Sequence, residues 1–232
     1  MDEVAGEKLR GKHPVEDVLY NRLMDAIVDK YLRPGQHLNE VKLAEKYDVP
    51  RSRVRRVLER LRDEDVVVFE LHRGAFISRP TVAEAKNVFQ VRRHLEELVV
   101  SLACARATSK DIAILRDNYL REREAFEALR PNVNRIAAEF HFLIAKIARN
   151  EILEQLVGTF IRRCVLVQSV YEKKSGILCL SEEHREMIDA IAAKDSGAAI
   201  RMMQHHFDHI VASLELTKER RLEKDVYDFL TE

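Results

Sequence analysis

The chain has 232 residues, with 39 lysines and arginines balanced by 39 aspartates and glutamates, so its formal net charge is zero. That balance excludes a uniformly basic nucleic-acid or membrane-surface binder, and any anionic partner must be met by a local patch. Hydrophobic residues make up 46% of the sequence, enough to bury a core in one large or two modest domains, which excludes a disordered chain.

The opening residues, MDEVAGEKLRGKHP, lack the apolar run of a signal peptide, and 1–12 read as a tail. Apolar periodicity then predicts helices over 15–31, stopped at Pro34-Gly35, over 40–47, started by Asn39, and over 51–64. Only YDVP separates the second from the third, a connection short enough to force a sharp angle. Two β-prone runs follow, 66–71 and 75–78, joined by His72-Arg73-Gly74 as a small hairpin. Three helices, a tight turn and a hairpin make a winged helix-turn-helix over 13–78.

Residues 79–84 read as a linker. Beyond it, Thr81 with Glu84 and Thr108 with Asp111 have the spacing of capping boxes. Helical segments at 85–107, 111–128, 134–149, 151–172, 182–193 and 197–221 predict a bundle of six or seven helices over 85–221, before a C-terminal tail at 222–232. The expected fold class is mainly α, an N-terminal winged helix-turn-helix followed by an all-helical bundle domain. Cys104, Cys164 and Cys179 are odd in number and lack CxxC spacing, which predicts buried thiols rather than disulfides. No apolar run reaches the length of a bilayer span, so the expected setting is cytoplasmic, with no membrane partner.

Chemistry concentrates first in VPRSRVRRVLERL, residues 49–61. Val54, Val57, Leu58 and Leu61 form one apolar stripe, from which Arg51, Arg55 and Arg62 project away, with Arg53 and Arg56 toward the flanks. Arginine presents a planar fork of donors that suits phosphate oxygens and the guanine edge, so this second helix of the helix-turn-helix is a candidate reader of the major groove of double-stranded DNA. Arg51, Arg53 and Arg55 are its candidate DNA contacts, and Ser52 is a candidate phosphate donor. His72 and Arg73 sit at the hairpin tip, where Gly74 permits close backbone approach. The alternative is a solvated face whose arginines pair with Glu59, Asp63, Glu64 and Asp65. The preceding short helix, the turn and the wing favour DNA. One such head covers little DNA, which predicts a homodimer on a palindromic site.

A second concentration is histidine. At about 100 degrees per residue, His184 aligns with Met187, Ile188 and Ile191. His206 is the histidine nearest the stripe of Met203, Phe207, Ile210 and Leu214, whereas His205 and His209 point further away. His141 lies opposite the charged strip Arg135, Glu139 and Lys146. Three inward histidines are candidate ligands for one divalent ion such as zinc or nickel, and each alone is as readily a hydrogen-bonded core residue.

The passages RPGQHLNEVKLAEKYDVP, RSRVRRVLERL and RGAFIS, within 15–78, resemble the DNA-binding domain of the GntR family of bacterial transcription regulators. The resemblance implies DNA contacts by Arg51, Ser52 and Arg55 and by the wing tip 72–74. Pro50 stands where the family usually has a capping serine, and Arg53 where it often has threonine, which implies an unusual operator. Likewise VRRHLEELVVSLACARAT, EFHFLIAKIARN and EEHREMIDAIAAKDSGAAIRMMQHHFDHI resemble the FCD ligand-sensing domain of the FadR subgroup. In metal-binding members an aspartate four residues before the first histidine joins three histidines, which correspond here to His141, His184 and His206. The aspartate position is Ala137, and Glu139 is on the wrong face to replace it, so the resemblance implies a weakened metal site. Arg92 matches an arginine of the family's opening helix that would meet an acidic effector, and its alternative is a surface pair with Glu96 one turn on.

The expected function is a ligand-responsive transcription regulator, a repressor released by a small carboxylate or acyl metabolite, and not an enzyme. The competing readings are a metal-dependent hydrolase using His141, His184 and His206, against which no HExxH or nucleophile elbow is found, and an effector-insensitive DNA-binding protein.

Overall fold

Leu19, Tyr20, Leu23, Met24 and Ile27 recur at three- and four-residue spacing and form the buried stripe of α1 (Pro14–Val28). The computed structural model describes residues 14–173 and 181–217, so the tails 1–12 and 222–232, Cys179 and the last residues of the helix expected over 197–221 lie outside the described residues. The first helix ends earlier than the expected 31. Lys30 takes a left-handed conformation (φ 61°), and the Leu32 N–H returns to the Ala26 carbonyl at 2.9 Å, so the chain turns off the helix before Pro34 is reached.

In α2 (Glu40–Tyr47) the Asn39 side chain accepts from the Val41 and Lys42 N–H groups at 3.0 Å each. Asp48, at φ 50°, ends the helix and turns the chain into α3 (Arg51–Asp63), whose Pro50 cap makes no side-chain bond. Val54, Val57, Leu58 and Leu61 are all at most 1% exposed, so the apolar stripe is the buried face of α3. The wing is larger than the hairpin read from sequence. Strand β1 (His37–Leu38), too short to show alternation, pairs antiparallel with β3 (Gly74–Ile77), which also pairs with β2 (Val67–Glu70), giving the order β1-β3-β2. Gly74 has φ 92°, and a Cβ there would lie 3.1 Å from the His37 ring.

The junction is shorter than the expected 79–84. Thr81 and Glu84 close a capping box that starts α4 at once (Val82–Arg106). Five helices follow among the described residues: α5 (Ser109–Glu127), α6 (Val133–Ile147), α7 (Glu151–Tyr171), α8 (Ser181–Ala192) and α9 (Ser196–Ala212). The last stops short of 221 because the chain reverses at Ser213 and bridges back, Lys173 N–H to the Ser213 carbonyl and Glu215 N–H to the Tyr171 carbonyl. α4 runs through the bundle and packs against α6, α7, α8 and α9.

Helix α7 joins the two units. Leu166, 2% exposed, belongs to the apolar core of the winged head, while Val167 and Cys164 belong to the core of the bundle. Arg162 and Arg163 reach Glu64 and Asp65, just past α3, at 2.5 and 3.0 Å, and Lys30 pairs with Glu172 at the far end of α7.

Candidate functional site

On α3, Arg51, Ser52 and Arg55 are exposed. These arginines have acidic neighbours, as the alternative reading expects for Glu59: Glu40 is 3.6 Å from Arg51 and 3.8 Å from Arg55, and Glu59 accepts from Arg55 at 3.2 Å. Surface pairs of this kind contribute little, ~0–1 kcal/mol, and exchange readily for phosphate. Arg55 also lies over the Phe69 ring of β2 at 5.6 Å, so α3 and the wing present one continuous surface. At the wing, Leu71, His72, Arg73 and Gly74 are exposed, with Arg73 held by Glu70 at 2.5 Å. Arg53 departs from this group. It is half-buried toward α1, 4.0 Å from Glu16, because its angular position brings it round to the α1 side. Arg56 and Arg60 also turn to α1, bonding Glu16 and Asp17 at 2.6 and 2.7 Å, with Arg60 stacked over Tyr20 at 3.6 Å. The arginines thus divide into an outward set and a set that fastens α3 to α1.

His141, His184 and His206 come together from α6, α8 and α9, each at most 4% exposed, with one ligand atom from each lying within 4.8 Å of the others. Every Nδ1 is engaged by a carboxylate: His141 by Glu96 at 2.5 Å, His184 by Glu122 at 2.7 Å and His206 by Glu183 at 2.7 Å. Burial would raise the Glu96 carboxyl, but Arg92 at 2.6 Å and His141 outweigh it and bring it to about 2. An ionised carboxylate only accepts, so the His141 Nδ1 carries the proton and its Nε2 lone pair faces inward. Burial, against the pull of Glu96, pushes His141 down to about 4. Burial, followed by the neighbouring His184 and His141, takes His206 well below its usual value.

The Nε2 atoms of His141 and His206 are 3.2 Å apart, and the buried Nε2 of His184 has no hydrogen-bond partner. Two neutral imidazoles that both give their Nδ1 protons to carboxylates bring lone pair against lone pair at that distance, an arrangement a divalent cation relieves. Carboxylates behind Nδ1 and inward-facing Nε2 atoms match the outer and inner shells that a histidine metal site has. The residues present fit a zinc- or nickel-class ion.

The imidazoles line a cavity of about 100 Å³, together with Arg92, Glu122, Ala137 and Gln168. Arg92 combines both sequence readings. It does pair with Glu96, but it is 4% exposed and lines the cavity, and its guanidinium lies 5.1 Å from the Phe207 ring centroid. Sequence reasoning missed Glu96 and Glu122 as partners of the histidines. The available signal was register: each carboxylate falls on the buried stripe of its helix, Glu96 with Val99 and Val100 on α4 and Glu122 with Tyr119 and Ala125 on α5.

A family model described as "Bacterial regulatory proteins, gntR family" matches residues 16–77, and one for the FCD domain matches residues 87–209. The chain belongs to the GntR family. This GntR regulator is 31% identical over 189 residues to the "Nta operon transcriptional regulator" of Aminobacter aminovorans, covering 79% of this chain and 89% of that protein. It is 24% identical over 217 residues to the "HTH-type transcriptional repressor RspR" of Escherichia coli (strain K12), covering 91% and 94%. The solved structure of E. coli McbR/YncC shares the fold, with a TM-score of 0.76 at 18% identity, covering 87% of this chain and 97% of that one. As a GntR regulator with an FCD domain, the protein is a DNA-binding transcription regulator, and the hydrolase alternative is not favoured by these relatives. No described helix is long and apolar enough to cross a membrane.

Proposed function

We propose that this regulator is a cytoplasmic homodimeric repressor that reads a palindromic operator and releases it when a small carboxylate enters the cavity on a divalent ion. The observation that carries the effector half is the convergence of three imidazole Nε2 atoms beside the buried guanidinium of Arg92. His141, His184 and His206 would hold the ion, which supplies a Lewis-acid anchor for a carboxylate oxygen. Arg92 offers charge-assisted donors to the same group, while Glu96 keeps the guanidinium in place. A cavity of about 100 Å³ favours a compact acid over an extended acyl chain. At Ala137, one turn before His141, the cavity wall is a methyl group, which leaves the metal with one fewer anionic ligand.

DNA binding is assigned to Arg51, Ser52 and Arg55 with the wing residues His72, Arg73 and Gly74, and Arg53 is assigned the secondary role of setting α3 against α1. Repression is supported by the name of one relative, the repressor RspR. A route from cavity to head is supplied by α7. Ile161, Val165, Gln168 and Glu172 line the cavity, as do Val28 and Lys30 from the end of α1, while Arg162, Arg163 and Leu166 engage the head. An effector shifts the reading heads only if it binds one arrangement better than the other, and a carboxylate that draws Lys30 away from Glu172 has that preference built in.

The test is fluorescence anisotropy on a duplex from the gene's own upstream region, with zinc-loaded protein and a panel of small mono-, di- and tricarboxylates. The expected result is release of wild type by at least one acid and continued binding by His184→Ala in its presence. Carboxylate-independent DNA affinity in the metal-loaded wild type, across the panel, overturns the effector assignment.

A further inference from the structure

Glu183 gives one carboxylate oxygen to the buried His206, and with the other it accepts from Nδ1 of His209 on the surface. His205 stands one turn before His209 on α9, and the two exposed rings lie with centroids 4.0 Å apart. Spacing of four on a helix puts both imidazoles on the same face, where they act as a chelating pair. One ligand atom from each of Glu183, His205 and His209 lies within 4.8 Å of the others.

We propose that Glu183, His205 and His209 form a second, outer binding site for a divalent cation of the zinc, nickel or copper class. Two imidazole nitrogens and one carboxylate oxygen are a borderline donor set, which selects those ions over calcium or magnesium. At metal–nitrogen distances of about 2.0–2.1 Å the donors must close to roughly 3.4 Å from one another, and the two exposed imidazoles have the rotational freedom to do so. The ion displaces the proton that His209 now gives to Glu183. Its remaining positions face solvent and hold water. The outer site differs from the cavity in residues and in access: neither His205 nor His209 lines the cavity, and the single shared group is the Glu183 carboxylate behind His206.

The experiment is zinc titration of the metal-stripped full-length chain at pH 7.5 against a chromophoric chelator, comparing wild type, His205→Ala/His209→Ala and His184→Ala, with circular dichroism confirming the fold. The expected wild type takes up about two ions per chain, the double variant about one and His184→Ala about one. His205→Ala alone, which keeps the Glu183–His209 bond, should weaken the outer class at least ~10-fold, the loss that even an outer-shell partner brings. If the double variant matches wild type in stoichiometry and affinity, the outer site is refuted. One ion that survives in the double variant and disappears in His184→Ala also refutes it and leaves the interior site standing. One ion with the reverse pattern supports the outer site and removes the interior metal.

Discussion

Arg162 of α7 reaches Glu64, the residue that caps α3, at 2.5 Å. The same carboxylate accepts from the Tyr20 hydroxyl of α1 at 2.5 Å, so Glu64 ties α7, α1 and α3 at one point. Burial, with Glu64 as acceptor, raises the Tyr20 hydroxyl well above its usual value, which keeps it a donor at any working pH. Glu64→Ala removes the ion-pair partner of a mostly buried guanidinium and the hydrogen-bond acceptor of a buried hydroxyl. The expected cost is about 1–3 kcal/mol in urea unfolding monitored by circular dichroism. Destabilisation under about 0.5 kcal/mol, the range of ordinary surface changes, contradicts a structural role for this point.

The split among the α3 arginines predicts opposite phenotypes for two neighbours. Arg55→Ala should weaken operator binding by about 1–3 kcal/mol and leave stability nearly unchanged, since Arg55 is exposed and only flanked by Glu40 and Glu59. Arg60→Ala should leave operator contacts intact but lower stability, through loss of the Asp17 pair and of the stack on Tyr20. Anisotropy over a salt series separates the cases further. A phosphate contact by Arg55 reduces the salt slope by about one, whereas a base contact relaxes sequence preference.

The capping box at the domain junction carries its own pH dependence. The Thr81 backbone N–H, then its hydroxyl, hold the Glu84 carboxyl below the usual range. A lowered folded-state value means that the contribution is present above the unfolded-state value and disappears as pH falls through the lowered one. Thr81→Ala removes the N-terminal cap of α4, with an expected loss of ~1 kcal/mol at pH 7. The difference between wild type and Glu84→Gln in chemical denaturation should narrow on acidification.

What was legible in the sequence was whatever a single helix encodes by angle. The stripe Val54, Val57, Leu58 and Leu61 fixed the outward face of α3, and the same reasoning turned His141, His184 and His206 inward, where the structure brings them together. Features that depend on another element were not legible. Angle alone put Arg53 and Arg56 on the flanks of α3, but that these two and Arg60 meet Glu16 and Asp17 depends on the position of α1. Glu96 and Glu122 fall in apolar registers, which marks them as buried, but the histidine that each one meets comes from another helix and is not readable from that register. Strand β1 exists only because β3 offers it an edge. The stop of α9 depends on backbone bonds to residues 171 and 173 at the end of α7, about forty positions away.

Glu122 should tune the interior site without touching an ion. Its carboxylate fixes the tautomer and orientation of His184, whose Nε2 is the orphaned atom of the cluster. Glu122→Gln keeps the shape and removes the anionic acceptor. The expected outcome is a ~10–100-fold loss of interior metal affinity by chelator competition, with operator affinity of the metal-free protein unchanged.

Ala137→Asp tests the proposed interior metal site most sharply. Ala137 lines the cavity one turn before His141, so a carboxylate there enters the space that the three Nε2 atoms face. In the metal-free protein it arrives in a cavity that already contains Glu122 and whose cations, Arg92 and Lys30, are already paired with Glu96 and Glu172, so the added charge is poorly compensated and the metal-free variant should unfold at lower urea than wild type. With zinc the sign reverses. A fourth, anionic ligand lowers the dissociation constant, and metal that binds only the folded state adds stability in proportion to the logarithm of its concentration over that constant. A tenfold tighter site is therefore worth about 1.4 kcal/mol at saturating zinc. Crossing stability curves, with the variant below wild type without zinc and above it with zinc, are the expected observation. A variant less stable than wild type under both conditions means that the carboxylate does not reach the ion, and that the methyl group of Ala137 belongs to a cavity shaped for something other than a metal-bound acid.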